Sequence, residues 1–506
     1  MLARKSLLIM TANITEGILA YVALFFIASY MGPTAYGIIG FAMGFVGLFT
    51  ILNDLGFNPA HIKQVSEGKD LGRCIGTYIT AKIGFTGLLV SVVIGAVFFW
   101  KFVLGRGFES TDHELAIYII LGYFVLRSIA GVFHNTFRAK REIAKSELPV
   151  IIRAVARTGA IIFVAISGLG PMALACAYVF GDVFFLAISA IFFTGYPVKK
   201  PSREYFRNYV RFAKPLIIVG ASVAIMTNLD KVLIQLFWHS DDVGYYFASY
   251  RITHFIVIAA SSIGILLFPT ISSFHANKDI QNIKKTVFLS ERYISMLVFP
   301  MVIGLAVLAE PTVRILLRSS FYPAIPIFRI LPFFALVQAL TIPYNYQIIG
   351  MDKPKLARNR VVIMVCTNVA LNIILIPQDI QMLQVTLLGL GAVGAAIATV
   401  AAYLVGMIYC RIAAWKLTQG DWNPRILLHL LAASAMGAII YGLNDYLFAI
   451  ERWYHLLGFA ALGIGIYLFI LFLLKEFTRE DFNFLVETFN IKKMGKYIAE
   501  EIKKEF

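Results

Sequence analysis

The sequence predicts an all-α integral membrane protein of about fourteen transmembrane helices, grouped as two six-helix lobes in parallel repeat plus two C-terminal helices. Three observations carry this. The chain is 59% hydrophobic and only 15% charged, with a mean hydropathy of +0.77; soluble domains lie near about 45–50% apolar and 25% charged. Its apolar residues fall into runs of about twenty, enough to cross a bilayer core. Short motifs recur in the same order in both halves. The formal charge of +16 comes mostly from cations between the apolar runs, where loop topology accounts for them better than nucleic acid.

The spans read 7–31, 36–60, 74–100, 115–137, 149–167 and 171–193, then 215–238, 243–271, 287–308, 327–349, 361–376 and 387–410, and finally 425–447 and 456–474. Helices are expected because lipid tolerates no unpaired backbone and the runs lack barrel-like alternation. The first run, Leu7 to Tyr30, exceeds the h-region of a signal peptide. Cys74, Cys176, Cys366 and Cys410 form no CxxC pair and the eight histidines no HExxH. Neither a metal nor a cofactor is therefore expected.

Loop charge sets direction. One alternate set of loops, with both termini, carries 32 cations, including Lys63, Lys140, Lys200 and Lys355; the other carries five, Lys101, Arg106, Arg314, Arg318 and Arg452. The positive-inside rule puts both termini in the cytoplasm of a multi-pass plasma-membrane protein, with Glu109 and Asp241 outside. In 199–214, Tyr205, Tyr209 and Phe212 form one stripe and Arg203, Arg207 and Arg211 another, an amphipathic helix at the headgroups. The tail 475–506 reads similarly, with Phe482, Leu485 and Phe489 on one face.

The repeat has an offset of 210: Pro59 before a charged loop matches Pro269, and Asn135 matches Asn345. Gly168 to Ala173 resembles Gly389 to Gly394 after an insertion of roughly ten residues. A shift of six spans preserves orientation, so the repeat is parallel, about an axis along the membrane normal. The expected domains are an N-lobe at 1–198, an amphipathic cytoplasmic linker at 199–214 and a C-lobe at 215–414. Spans thirteen and fourteen follow at 415–474, then the basic tail at 475–506. Gly40, Gly44 and Gly47 read as close-packing sites.

Twelve charges within the spans stand out: eight cations (Lys82, Arg127, Arg153, Arg157, Lys231, Arg251, Arg292 and Arg329) and four carboxylates (Glu16, Asp54, Asp182 and Asp230). Each costs roughly 2.5–3.5 kcal/mol at a helix centre, so twelve facing lipid would cost on the order of 30 kcal/mol. Arg153, Arg292 and Arg329 are close enough to span ends to snorkel; the others must face protein or water. At about 1.5 Å per residue, Lys82, Arg127, Glu16, Arg157 and Asp182 reach mid-membrane. Asp230 and Arg251 lie about 12 Å below the outer surface, placed to pair between adjacent spans. The expected site is a hydrated, net-cationic cavity between the lobes: Lys82, Arg127, Arg157 and Arg251 bind substrate, and Glu16, Asp54, Asp182 and Asp230 are candidate gating or coupling carboxylates.

The segment MGPTAYGIIGFAMGFVGLFTILNDLGFNPAHIKQVSEGKD, from Met31 to Asp70, resembles the polysaccharide-transporter (oligosaccharide flippase) family. So do NLDKVLIQLFWHSDDVGYYFASYRI at 228–252, SSFYPAIPIFRIL at 319–331 and QIIGMDKPKLARN with LGLGAVGAAIATV within 347–400. That family shares a larger group with multidrug and toxin extrusion antiporters and peptidoglycan-precursor flippases. The resemblance implies two lobes forming a V and moving a polyprenyl-diphosphate-linked oligosaccharide outward by alternating access, for surface polysaccharide assembly. It also implies membrane lipid and glycosyltransferases of the same pathway as partners. The four cations come from the depth argument, since such cations vary in position between members. The alternatives are a cation-coupled multidrug antiporter, which favours an acidic cavity, and a membrane glycosyltransferase, which needs a DxD-like carboxylate set. The outer loops are too short and too poor in carboxylates for the latter, so no enzyme activity is expected.

Overall fold

The computed structural model describes residues 2–476, apart from 104, 106, 265–266, 381–384 and 447. Among them, twelve helices are long and apolar enough to span a membrane, and a bent pair makes a thirteenth. The order is α1 (Leu2–Tyr30), α2 (Gly32–Leu48), α3 (Phe57–Ser66), α4 (Leu71–Phe102), α5 (Thr111–Ala139), α6 (Ile143–Ile166), α7 (Pro171–Phe193) and α8 (Arg203–Phe237). Then come α9 (Ser240–Gly264), α10 (Leu267–Ala276), α11 (Ile280–Val307), α12 (Ala309–Thr312), α13 (Ile325–Ile330), α14 (Pro332–Gly350) and α15 (Pro354–Leu375). The last helices are α16 (Gly391–Thr418), α17 (Arg425–Tyr446) and α18 (Trp453–Leu473). Every expected span meets a helical segment. The eighth, 243–271, falls on α9 and α10, outside the thirteen.

The second expected span is not continuous. Thr50–Asn53 is a 3-10 turn, Leu55 and Gly56 take φ of +46° and +81°, and the axis bends by 55°. The cause is the run Asn53-Asp54-Leu55-Gly56, turn-forming residues inside an apolar stretch. Asp54, two residues before the Gly56 N-cap, satisfies a first-turn amide of the new helix, its Oδ1 accepting from Asn58 N at 2.7 Å.

The seventh span and the linker before it are also joined differently than expected. They form one helix, α8, which runs through Pro215. Residues 199–202 lie along α4: Lys199 N donates to Gly72 O at 3.0 Å and Ser202 N to Thr77 Oγ1 at 3.0 Å. Tyr209, expected to face headgroups with Tyr205 and Phe212, is fully buried instead, docked on Phe57, Ala60 and Tyr78. The tail beyond 476 lies outside the described residues.

The two halves carry matching elements. The helices α3 and α10 are both ten residues long and lie 210 residues apart at each end. The helices α6 and α15 start 211 residues apart. Between α15 and α16 the second half has a small hairpin, Asp379 paired with Thr386 and Ile380 with Val385, and this is the expected insertion.

Contacts divide the chain between Gly244 and Tyr245. In the first unit α6 packs on α1 and α7, α5 on α7, and α2 on α5 and α8. The approach of α2 to α8 depends on glycine: a Cβ at Gly44 would lie 3.0 Å from Lys231 Cβ, and one at Gly47 2.5 Å from Asn228 Oδ1. In the second unit α16 packs on α14 and α15, α11 on α14 and α17, and α17 on α18.

Candidate functional site

The first unit holds an open cavity of about 480 Å³. Its wall is built from α1 (Asn13, Glu16), the break in the second span (Thr50, Asn53, Asp54), α3 (Asn58) and α4 (Lys82). The rest comes from α5 (including Phe124, Arg127, Ser128, His134, Asn135 and Arg138), α6 (Glu147, Val150, Arg153) and Phe185 of α7.

The helix break supplies part of this polarity, because it frees backbone and amide groups that a continuous span would bury. Lys82 Nζ donates to the freed Asn53 carbonyl at 2.9 Å and lies 3.8 Å from Asp54 Oδ1. Asn53 Oδ1 accepts from Ser128 Oγ at 2.5 Å and from Thr86 Oγ1 at 3.2 Å. Thus α4 and α5 are both tied to the turn between α2 and α3.

Four cations line the cavity, and three are matched to carboxylates. Lys82 faces Asp54; Arg138 Nη2 meets Glu147 Oε1 at 3.0 Å; Arg153 Nη2 meets Glu16 Oε1 at 2.7 Å. Arg127 is the exception. It is exposed to the cavity, and among the described residues no carboxylate oxygen lies within 4 Å of it. Its guanidinium donates to the Tyr123 hydroxyl one turn back and lies 5.7 Å from that ring. A guanidinium has five donors in a rigid fork, so most of them are left for the cavity.

The structure brings Lys82, Arg127, Glu16 and Asp54 together on this wall. Arg157 joins from behind, buried, with Nη2 3.5 Å from Glu16 Oε1. A Cβ at Gly181 would sit 2.6 Å from Arg157 Cβ, so glycine is what lets α7 approach α6 here. Next to it, Asp182 is fully buried, with neither carboxylate oxygen hydrogen-bonded among the described residues. Asp230, buried on α8, does not line the cavity. Arg251 belongs to the second unit, where its guanidinium carbon lies 5.9 Å from the Phe247 ring.

Two snorkelling expectations are corrected. Arg153 is 3% exposed and paired with Glu16; Arg292 is 6% exposed, with Nε 2.6 Å from Glu476 Oε1. Of the three, only Arg329 is exposed. The interior also holds carboxylates that the span count left out: Glu147 and Glu291, each 1% exposed. The cavity's excess of positive charge is therefore a single cation. Asn13, Asn53, Asn58 and Asn135 were missed as lining residues; amides recurring near the inner ends of several spans were the available signal.

Residues 2–275, just over half the chain, match the polysaccharide biosynthesis protein family. The probable low-salt glycan biosynthesis flippase Agl15 of Haloferax volcanii is 25% identical over 409 residues, 80% of this chain and 82% of that one. The probable flippase AglR of the same organism is 21% identical over 88% of this chain and 90% of its own. Among solved structures, the lipid II flippase MurJ in an inward closed conformation aligns with a TM-score of 0.75 at 15% identity, over 92% of this chain and 98% of its own. An inward-facing multidrug resistance MATE transporter aligns with a TM-score of 0.65 at 15% identity, over 80% and 96%. Fold and family match point the same way, and the chain, a multi-pass membrane protein, belongs to the polysaccharide biosynthesis protein family.

Proposed function

We propose that the protein is a flippase carrying a polyprenyl-diphosphate-linked oligosaccharide from the cytoplasmic to the outer leaflet by alternating access, for surface glycan assembly. The observation that carries this is Arg127, a cavity-facing guanidinium with no carboxylate within 4 Å among the described residues. A fork of N–H donors matches two phosphate oxygens at once. The surrounding asparagines and the Thr50 and Ser128 hydroxyls suit sugar hydroxyls, while the polyprenyl tail stays in lipid. Lys82 on the wall and Arg157 behind it support the head from the same unit. In this reading both termini are cytoplasmic and the membrane is the plasma membrane, which the loop charge supports. The N-lobe, linker, C-lobe and final helix pair keep the boundaries given above, and glycosyltransferases of the same pathway supply the cargo. The protein moves its cargo without making or breaking a bond.

The antiporter reading fits the cavity less well. An organic cation needs a free carboxylate, and the three lining the wall are each within 4 Å of a cation: Glu16 at 2.7 Å, Glu147 at 3.0 Å and Asp54 at 3.8 Å.

The test is reconstitution into vesicles loaded with a fluorescent polyprenyl-diphosphate oligosaccharide, reading how fast label reaches the opposite leaflet, with ethidium efflux in parallel. Protein-dependent label movement without ethidium efflux is expected. Ethidium efflux with label moving only at the protein-free rate contradicts the proposal.

A further inference from the structure

The first third of α8 has two faces with different fates. Arg203, Arg207, Arg211 and Lys214 are exposed, the arginines four residues apart on one stripe, with exposed Phe206 beside them and Glu204 as the one carboxylate between Arg203 and Lys214. The other face is docked, with Tyr209 and Ala213 buried in a cluster with Phe57, Ala60, Tyr78 and Val132. The helix cannot roll to hide its cations without tearing out that cluster, so their counter-charge must come from outside. At the membrane-surface end of a spanning helix, the available anions are lipid headgroups.

The docked face leads to the cavity through buried, bonded groups. The Tyr209 hydroxyl is 3.0 Å from His61 Nδ1, and His61 Nε2 is 3.0 Å from Thr136 Oγ1. The His61 ring stacks on Tyr78 with centroids 4.1 Å apart and planes 11° from parallel. The Tyr78 hydroxyl donates to Asn58 Oδ1 at 2.5 Å and accepts from Asn135 Nδ2 at 3.0 Å. Asn58 and Asn135 both line the cavity. Chains of packed side chains and hydrogen bonds of this kind carry energetic coupling, and a close-packed interior does not absorb displacement softly.

We propose that the α8 stripe is a binding surface for anionic lipid headgroups, and that its occupancy sets the amide wall of the cavity through Tyr209, His61 and Tyr78. Charge complementarity selects the partner: four exposed cations against one carboxylate, with exposed Phe206 beside them to enter the acyl boundary. The inference rests on the geometry of α8, the relay and the cavity wall, whatever cargo the cavity carries.

The experiment is hydrogen exchange on the full chain, reconstituted in phosphatidylcholine vesicles with or without phosphatidylglycerol. In the wild type, phosphatidylglycerol should slow exchange at 203–212 and also at 57–66 and 132–139. R203Q/R207Q/R211Q should lose the slowing at all three segments, while the corresponding lysine triple, which keeps the charge, should retain it. Tyr209→Phe keeps the docked ring but removes the hydroxyl; it should keep the slowing on α8 and lose it at 57–66 and 132–139. A glutamine triple that responds as wild type overturns the lipid surface. A Tyr209→Phe variant that still transmits the change overturns the relay.

Discussion

Arg127 and Arg153 are the same residue type on the wall of the same cavity, yet their surroundings give them opposite tasks. Arg153 is 3% exposed and clamped at 2.7 Å to Glu16, which also meets Arg157 at 3.5 Å. Arg127 is exposed to the cavity and donates to the Tyr123 hydroxyl, with no carboxylate oxygen within 4 Å among the described residues. The difference teaches that depth in the membrane does not by itself make a charge functional. A cation already matched to a carboxylate ties α1 to α6; the cation left over is the one a ligand can neutralise. Local charge balance, rather than a total of interior cations, separates the two roles.

The comparison breaks most visibly at Glu16. Glu16→Gln leaves Arg153 buried with its counter-charge gone, and breaking such a pair costs roughly 3–5 kcal/mol. The ligand-free protein in detergent should melt well below wild type, and adding Arg153→Gln should recover most of the loss. An unchanged melting temperature in the single variant would remove Arg153 from the structural class. Lys82 sharpens the contrast at a smaller scale, because its main tie is the Asn53 carbonyl freed by the helix break. Lys82→Met should cost about 1–3 kcal/mol, the range for an orphaned buried acceptor. A loss as large as that of Glu16→Gln would show that the Asp54 ion pair, at 3.8 Å, carries more than the geometry suggests.

The smallest effect belongs to Glu142, in the loop between α5 and α6. Burial alone would raise its carboxyl, but hydrogen bonds from Lys140, Tyr196 and Lys145 outweigh this and hold it down to about 2. A depressed carboxyl stabilises the folded state above its ordinary value of 4.5, and that contribution fades as pH falls toward 2. Since solvent screens this exposed cluster, the effect should stay below about 1 kcal/mol. Melting curves from about pH 6 downward should show Glu142→Gln with a shallower acid decline than wild type. Parallel declines in both proteins would rule the cluster out.

The sequence is most informative where the physics is local. Apolar length alone brings every expected span onto helix, thirteen of them on spanning segments, and the matched ten-residue helices at 57–66 and 267–276 follow the motif offset residue for residue. It is least informative where partners are distant. Glu16 lies 137 residues from Arg153, and Glu476 lies 184 residues from Arg292. No depth estimate shows whether an arginine near a span end turns to the headgroups or to such a carboxylate. The break at Thr50–Gly56 was readable in principle from Asn53-Asp54-Leu55-Gly56, but the apolar residues on either side carry the hydropathy across it. Of the expected cationic site, Lys82 and Arg127 reach one cavity and Arg157 stands behind it, because α4, α5 and α6 belong to the same unit.

The account's central claim is that Arg127 holds the diphosphate, and the most direct measurement is affinity of the purified protein for a polyprenyl-diphosphate oligosaccharide. With melting temperature followed on the same samples, Arg127→Gln should weaken binding roughly ten- to a hundredfold, the range for charge-assisted hydrogen bonds, and leave melting unchanged. Arg127→Lys should fall between, since it keeps the charge and loses the fork. Wild-type affinity in a stably folded Arg127→Gln protein would contradict the claim.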